Sequence, residues 1–382
     1  MQSIVRCVVA LVLCLALAGV VQAAEPIRIG VFVSATGPGA YFGDPEAKTF
    51  KLEVDRVNRE GGLLGRKLEL TLYDDTSDPK QAVSFARKLL EQHKVDVLLG
   101  GSLTGTTMAV VPIVQDAEVP YISLAGATTI VQPVKKWVFK TPHTDTMAVE
   151  KVFIDMQKRK ISKIALIGGS VGFDESCRKQ GHILAPKYGM TILEDETWAP
   201  TDTDMTPQLT KIRSHADLQA VLNCGTQAPA VISVRNYQRL GMTKTPLYFS
   251  HGVASETFVQ GAGAAAEGAR LPAAALVVAE QLPAKDPQRK IGLDYRKAYE
   301  AAYHSPISTF GGHAKDAMVL YVAAVKQAGS TDKAKVRNAL ENLKNVIGVD
   351  GVFNTSPSDH MGLDTSAFHM IEIRKGKWKL LY

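Results

Sequence analysis

The sequence predicts an α/β protein built as two doubly wound, mostly parallel-sheet lobes. Three observations lead there. Short apolar runs alternate with amphipathic helical stretches, as in a parallel sheet covered by helices on both faces. The alternation pauses near Thr141 and then restarts, so the pattern occurs twice. A chain of 382 residues is also too long for one ordinary domain and suits two of roughly 150 to 200 residues.

The elements of the first copy follow in order. Ile27 to Val33 reads as a strand, and Pro45 to Glu60 as a helix with an apolar stripe at Phe50, Val54 and Val57. Leu68 to Leu72 is a strand. Pro79 to Gln92 is a helix that Ser77 or Asp78 can cap, with proline in its first turn. Val95 to Leu99, Gly105 to Ala117 and Pro120 to Ser123 read as strand, helix and strand.

In the second copy, Ala148 to Lys158, Glu175 to Tyr188, Pro207 to Ser214 and Ala228 to Leu240 are helices. The strands Lys163 to Ile167, Thr191 to Leu193, Ala220 to Leu222 and Pro246 to Ser250 alternate with them. Helices near Leu293 to Tyr303, Gly311 to Ala328 and Lys333 to Leu343 come next. Strands Phe368 to Arg374 and Trp378 to Tyr382 end the chain. Periodicity does not say which copy these late elements complete.

The N-terminus points to export. Arg6 is the only charge before Glu25, and the apolar run Val8 to Val21 follows it. Val21-Gln-Ala23 offers small residues where a signal peptidase reads, so cleavage is expected near Ala23 or Ala24. That run is shorter than a comfortable membrane span, and no later stretch approaches one. Cys177 and Cys224 remain in the mature chain; in an oxidising compartment they can pair or stay separate. The net charge of +6 is scattered, with no basic stripe for nucleic acid.

Ligands of open α/β sheets sit beyond the carboxyl ends of the strands. Three loops stand there in the first copy: Ser34-Ala-Thr-Gly-Pro-Gly-Ala-Tyr-Phe-Gly43, Gly100 to Thr107, and Leu124 to Thr129. Backbone N–H groups and hydroxyls at a helix N-terminus form an anion site without lysine or arginine. Ser102, Thr104 and Thr106 serve equally well as helix caps. Gly168-Gly-Ser-Val-Gly172 matches a nucleophile elbow between strand and helix, with Ser170 as its serine. No oxyanion loop or placed histidine accompanies it. Gly261-Ala-Gly263 has no strand before it. Asp74, Asp75 and Asp78 fit turn and cap roles, and His251, His304 and His313 lack metal-ligand spacing. Neither a metal, a cofactor nor a catalytic residue is expected.

Several motifs in order carry a family resemblance: Thr36-Gly-Pro…Phe42-Gly43, Asn58-Arg-Glu-Gly-Gly-Leu-Leu-Gly-Arg66, Asp74-Asp-Thr-Ser-Asp-Pro79, Ile122-Ser…Gly126-Ala-Thr128 and Ala265-Ala-Glu-Gly268. With them the chain resembles the type I periplasmic solute-binding proteins of the branched-chain amino acid class, over the whole mature chain. The resemblance implies a signal peptide over 1–24, a first lobe of 25–143 with 278–350, and a second of 144–277 with 353–382. Three crossings near 141–146, 275–283 and 346–356 would form the hinge. It implies a monomer that delivers a small ligand to an inner-membrane ABC permease and its ATPase.

The resemblance also implies a site. Ser102, Leu103 and Thr104, with Ala125, Gly126 and Thr128, would hold a ligand carboxylate. Phe42, with Tyr41 beside it, would wall the pocket, and Phe173 would cover it from the second lobe. Thr226 and Gln227 would face the ligand. One position departs from the family pattern: His251 stands where amino-acid binders carry an acid for the ligand ammonium. A neutral imidazole compensates a buried ammonium poorly. The expected ligand is therefore an organic acid without an α-ammonium, such as an aromatic or keto acid. A branched-chain amino acid is the alternative, and from another class a ligand sensor of the same fold that feeds a receptor, or a serine hydrolase acting through Ser170.

Overall fold

The computed structural model describes residues 25–170, 172–199 and 201–382. The export segment expected over 1–24 lies outside the described residues. The first sheet has five parallel strands: β1 (Ile27–Val33), β2 (Leu68–Asp74), β3 (Val97–Gly100), β4 (Tyr121–Ser123) and β5 (Val138–Lys140). Their spatial order is β2-β1-β3-β4-β5. Helices α1 (Ala40–Arg59), α2 (Pro79–Glu91) and α3 (Thr104–Ala117) return the chain between strands.

The second unit runs α4 (Asp145–Lys158), β6 (Lys163–Gly169), α5 (Gly172–Leu184), β7 (Thr191–Trp198), α6 (Thr206–Arg213), β8 (Ala220–Asn223), α7 (Gln227–Arg239), β9 (Leu247–Phe249), α8 (Glu256–Ala262) and β10 (Arg270–Ala273). The late elements are α9 (Pro287–Tyr303), α10 (Thr309–Ala328), α11 (Lys333–Leu340), the hairpin β11 (Val346–Ile347) and β12 (Val352–Phe353), and β13 (His369–Arg374) and β14 (Lys377–Leu380). The second sheet has the order β14-β13-β10-β9-β8-β6-β7. Only β13 and β14 run antiparallel to their neighbours.

Apolar periodicity places a buried stripe on each helix, and each sheet is covered on both faces. On the first sheet, Phe50 and Val54 of α1 pack with Met318 and Tyr321 of α10 on one side. Ala82 and Val110, on α2 and α3, pack on the other. On the second sheet, Leu209 and Val234 cover one face, and Val152 and Cys177 the other. Phe353, Met361, Leu363 and Phe368 share the core of α1 and α10, and the chain enters the second sheet at His369. Among the described residues no helix is long and apolar enough to cross a membrane.

Most elements match the sequence reading to within a few residues. Two differences matter for the site. Helix α1 begins at Ala40, before the expected Pro45, so Tyr41 and Phe42 lie on its first turn instead of in a loop. Gly43 makes this start possible: a Cβ there would lie 2.2 Å from the carbonyl of Ser34. Strand β7 continues past Leu193 to Trp198. It is an edge strand paired only with β6, and its run Glu194-Asp-Glu196 is the charged composition that protects an edge. Strand β10 escaped the sequence reading because Pro272 sits inside it.

Candidate functional site

The carboxyl ends of both sheets face one cavity of about 570 Å³. Ser102, Leu103 and Thr104 reach it at the start of α3, and Phe42 from α1. Across from them stand Phe173 and Asp174 at the start of α5, Thr226 and Gln227 at the start of α7, and His251 after β9. Gly126, Pro142 and Phe310 complete the wall near the passages between the two sheets. Among the described lining residues none is a lysine or arginine.

What the cavity offers an anion is backbone N–H. No side chain caps α3 at Leu103. Its first backbone bond runs from Thr107 N–H to Leu103 O at 2.9 Å. Thr104, Gly105 and Thr106 therefore keep their N–H groups free of backbone partners among the described residues. The hydroxyl of Thr104 is buried and unpartnered. Helix α7 likewise has no side-chain cap, so Gln227 and Ala228 present N–H groups from the other side. Helix N-termini carry partial positive charge, and buried donors without acceptors are costly, so both features favour an anionic guest. Gln227 has φ of +60°, a left-handed conformation that a non-glycine residue adopts at a cost of order 1 kcal/mol and that clusters at ligand sites.

Three titratable side chains line the cavity: Asp174, His251 and His313. Asp174 accepts hydrogen bonds from the Thr226 hydroxyl at 2.8 Å, Thr226 N–H at 3.3 Å and Gly169 N–H at 3.2 Å. Burial raises its pKa to about 6. His251 is held well below its usual range by burial, reinforced by His143, His313 and Lys140. Its ring lies edge-on to Phe173, 5.2 Å between centroids. His313 meets Asp350 through Nδ1 at 2.7 Å. Burial pushes His313 down, to about 3, and Asp350 up. The polar part of the wall is thus neutral imidazole, hydroxyl, amide and the hydrogen-bonded carboxyl of Asp174.

Nine of the twelve residues expected from sequence line this cavity. Tyr41, Ala125 and Thr128 are not brought to its wall. Tyr41 turns aside to pack on Phe310 and to share a 2.5 Å hydrogen bond with Ser255. Ala125 is buried in the core beneath β4. The hydroxyl of Thr128 is consumed by Asp145 and Thr146 at the start of α4. Asp74, Asp75 and Asp78 take turn and cap roles: Asp78 accepts Lys80 N–H at 2.8 Å, and Asp74 holds Thr36. No group of potential metal ligands occurs among the described residues. Ser170 is exposed, and among the described residues no hydrogen bond joins its hydroxyl to a histidine.

The lining residues outside the expected set include Trp198, Phe310, Asp174 and His313. Trp198 was hidden by the charged edge strand. Phe310 and His313 lie on α10, which reaches the first sheet from far along the chain, and no local signal marks that return. Asp174 was legible, two residues after the glycine that opens α5, but it had no assigned partner.

A family model described as periplasmic binding protein matches residues 26–377. The leucine-, isoleucine-, valine-, threonine- and alanine-binding protein of Pseudomonas aeruginosa is 28% identical over 84% of this chain and 83% of its own. Among solved structures, an extracellular ligand-binding receptor from Rhodopseudomonas palustris HaA2 superposes with a TM-score of 0.86. It is 33% identical, covering 93% of this chain and 99% of that one. The branched-chain amino acid substrate-binding protein LivJ of Streptococcus pneumoniae, solved with isoleucine, has a TM-score of 0.81 at 26% identity, covering 93% of this chain and 99% of its own.

Proposed function

The chain belongs to the periplasmic binding protein family, in its type I leucine/isoleucine/valine-binding-protein-like class, and from that premise we propose that it captures a small organic acid lacking an α-ammonium group. The single observation that carries this reading is the composition of the cavity wall. Donors from α3 and α7 suit a carboxylate. Phe42, Phe173, Phe310 and Trp198 suit an apolar or aromatic body. Among the described lining residues the one carboxylate, Asp174, already accepts three hydrogen bonds, and His251 is a neutral ring.

In this reading the protein is exported with residues 1–24 removed and works in the periplasm. Its lobes hinge at the passages near 141–146 and 275–283 and at the third, expected near 346–356, which the packing of Met361, Leu363 and Phe368 on α1 and α10 extends to 368. Ligand binds between them, closure buries it, and the closed form presents it to an ABC permease. Ala125 and Thr128 support the carboxylate loop from behind.

A second reading, a branched-chain amino acid, is favoured by the ligands in the relatives' names and by Asp174, whose carboxyl lines the cavity. Calorimetric titration with leucine, isoleucine, valine, 4-methyl-2-oxopentanoate and benzoate separates the two. The oxo acid or benzoate is expected to bind more tightly than any of the amino acids. Micromolar leucine, isoleucine or valine would replace the first reading with the second.

Closure itself has a test at Gly126. A Cβ there would lie 2.7 Å from Phe173 Cε2 and 3.2 Å from His251 Nε2. Gly126→Ala should therefore wedge the two walls apart, weakening the tightest ligand about tenfold or more. Thermal unfolding without ligand should not change. An unaltered affinity would mean that Phe173 does not close on this loop.

A further inference from the structure

Ser102 is not a free hydroxyl. Its Oγ accepts Ser34 N–H at 3.0 Å and is in close hydrogen-bond contact with Glu46 Oε2. Glu46, on α1, is completely buried, and its Oε1 has no hydrogen-bond partner. A second buried carboxylate, Asp75, stands nearby, accepting the Ser34 hydroxyl at 2.6 Å and Ser77 N–H at 2.9 Å. Two carboxylates thus lie directly behind the loop that should receive a third from the ligand.

A serine hydroxyl has one proton to give and two lone pairs. One lone pair of Ser102 is taken by Ser34 N–H. If Glu46 is ionised, it can only accept, and it takes the Ser102 proton. Ser102 then turns a lone pair toward the cavity, and the ligand anion meets repulsion from that lone pair and from the carboxylates of Glu46 and Asp75 behind it. If Glu46 is protonated, its O–H donates to the second lone pair of Ser102. The serine proton is then released toward the cavity.

We propose that Glu46 is a proton switch that decides whether Ser102 donates to a bound carboxylate. This rests on the reading of the cavity as a carboxylate site, and it holds for an amino acid and an oxo acid alike. The surroundings favour the protonated form. Burial, with the charge of Asp75 adding to it against the Ser102 hydrogen bond, raises the pKa of Glu46 to about 8. The other titratable group facing this cluster is Tyr121 on β4, whose phenol burial keeps neutral, and Asp74 and Asp78 act on Asp75 in the same direction. No cation is among the groups that shift Glu46. Since binding requires the protonated form, affinity is complete below pH about 8 and falls as pH rises through it.

The test compares the parent with Glu46→Gln, whose amide N–H donates to Ser102 at every pH. The ligand is the tightest binder among leucine, 4-methyl-2-oxopentanoate and benzoate. The parent should lose affinity roughly tenfold per pH unit above the transition, and the variant should stay flat. Parallel profiles, or a variant that binds at no pH, would overturn the switch. Infrared difference spectroscopy without ligand, parent minus Glu46→Gln, gives a second readout: a protonated-carboxyl band at neutral pH that belongs to Glu46 and stands apart from the buried Asp350 and Asp316 common to both proteins. Absence of that band in the parent also overturns it. Failure of all three ligands would instead sink the functional reading, and the infrared band would still decide the protonation of Glu46.

Discussion

A His251→Glu variant is expected to gain leucine binding and to lose its affinity for acids without an ammonium by on the order of 100-fold, about 3 kcal/mol. His251 follows β9 at the carboxyl end of the second sheet, is buried, and lines the cavity beside Phe173 and Gly126. In the parent the ring is neutral, so it can satisfy a hydroxyl or carbonyl but cannot offset a desolvated cation. The introduced carboxylate supplies the missing countercharge to an ammonium and repels a second acidic group. Lys140, fully buried and lowered to about 7 by burial, acts on His251, and an introduced carboxylate would draw it toward its charged form. His251→Gln is the control: it stays neutral and should keep the parent's preference. Calorimetry on both variants measures the outcome. A leucine affinity identical in parent and His251→Glu would show that position 251 does not select the ligand.

Removing the Cys177–Cys224 disulfide should cost the second lobe about 4 kcal/mol. The bond joins α5 to the end of β8, with Cα atoms 5.7 Å apart and a sequence separation of 47. Opening a loop of that length releases unfolded-chain entropy worth about 4 kcal/mol. Both cysteines are fully buried in the core shared by α4 and α5, so an alanine pair leaves little polar disturbance. The bond also lies beneath the cavity. The same junction carries the Asp174–Thr226 hydrogen bonds that hold the starts of α5 and α7 together. Urea unfolding of Cys177→Ala/Cys224→Ala against the oxidised parent should show the loss in the second lobe's transition. A difference below about 1 kcal/mol would contradict the loop-closure account. The spacing of two cysteines could not settle their pairing, because it depends on where β8 ends relative to α5.

Local pattern made much of this protein legible. Strand-helix alternation depends on residues within a turn or two of one another, so β1 to β4, the main helices and the restart after Thr141 could be read directly. The loops at the strand ends followed from the parallel sheet, and with them came Ser102, Thr104 and Gly126; Thr226 came with the family resemblance. Family motifs added Phe42, Phe173 and the departure at His251.

The state of those residues was decided only by tertiary structure. Ser102 looked like an independent donor until Glu46, 56 residues away, met its hydroxyl. Thr128 looked the same until Asp145 arrived from the next helix. His313 had no meaning until α10 crossed back to the first sheet and Asp350 met its ring, 37 residues on. Sequence by itself determined which residues stand at the carboxyl ends of the strands, because the chain direction of each element is local. Which of them still has a proton or lone pair to offer depends on partners from other elements, and folding alone brings those within hydrogen-bond distance.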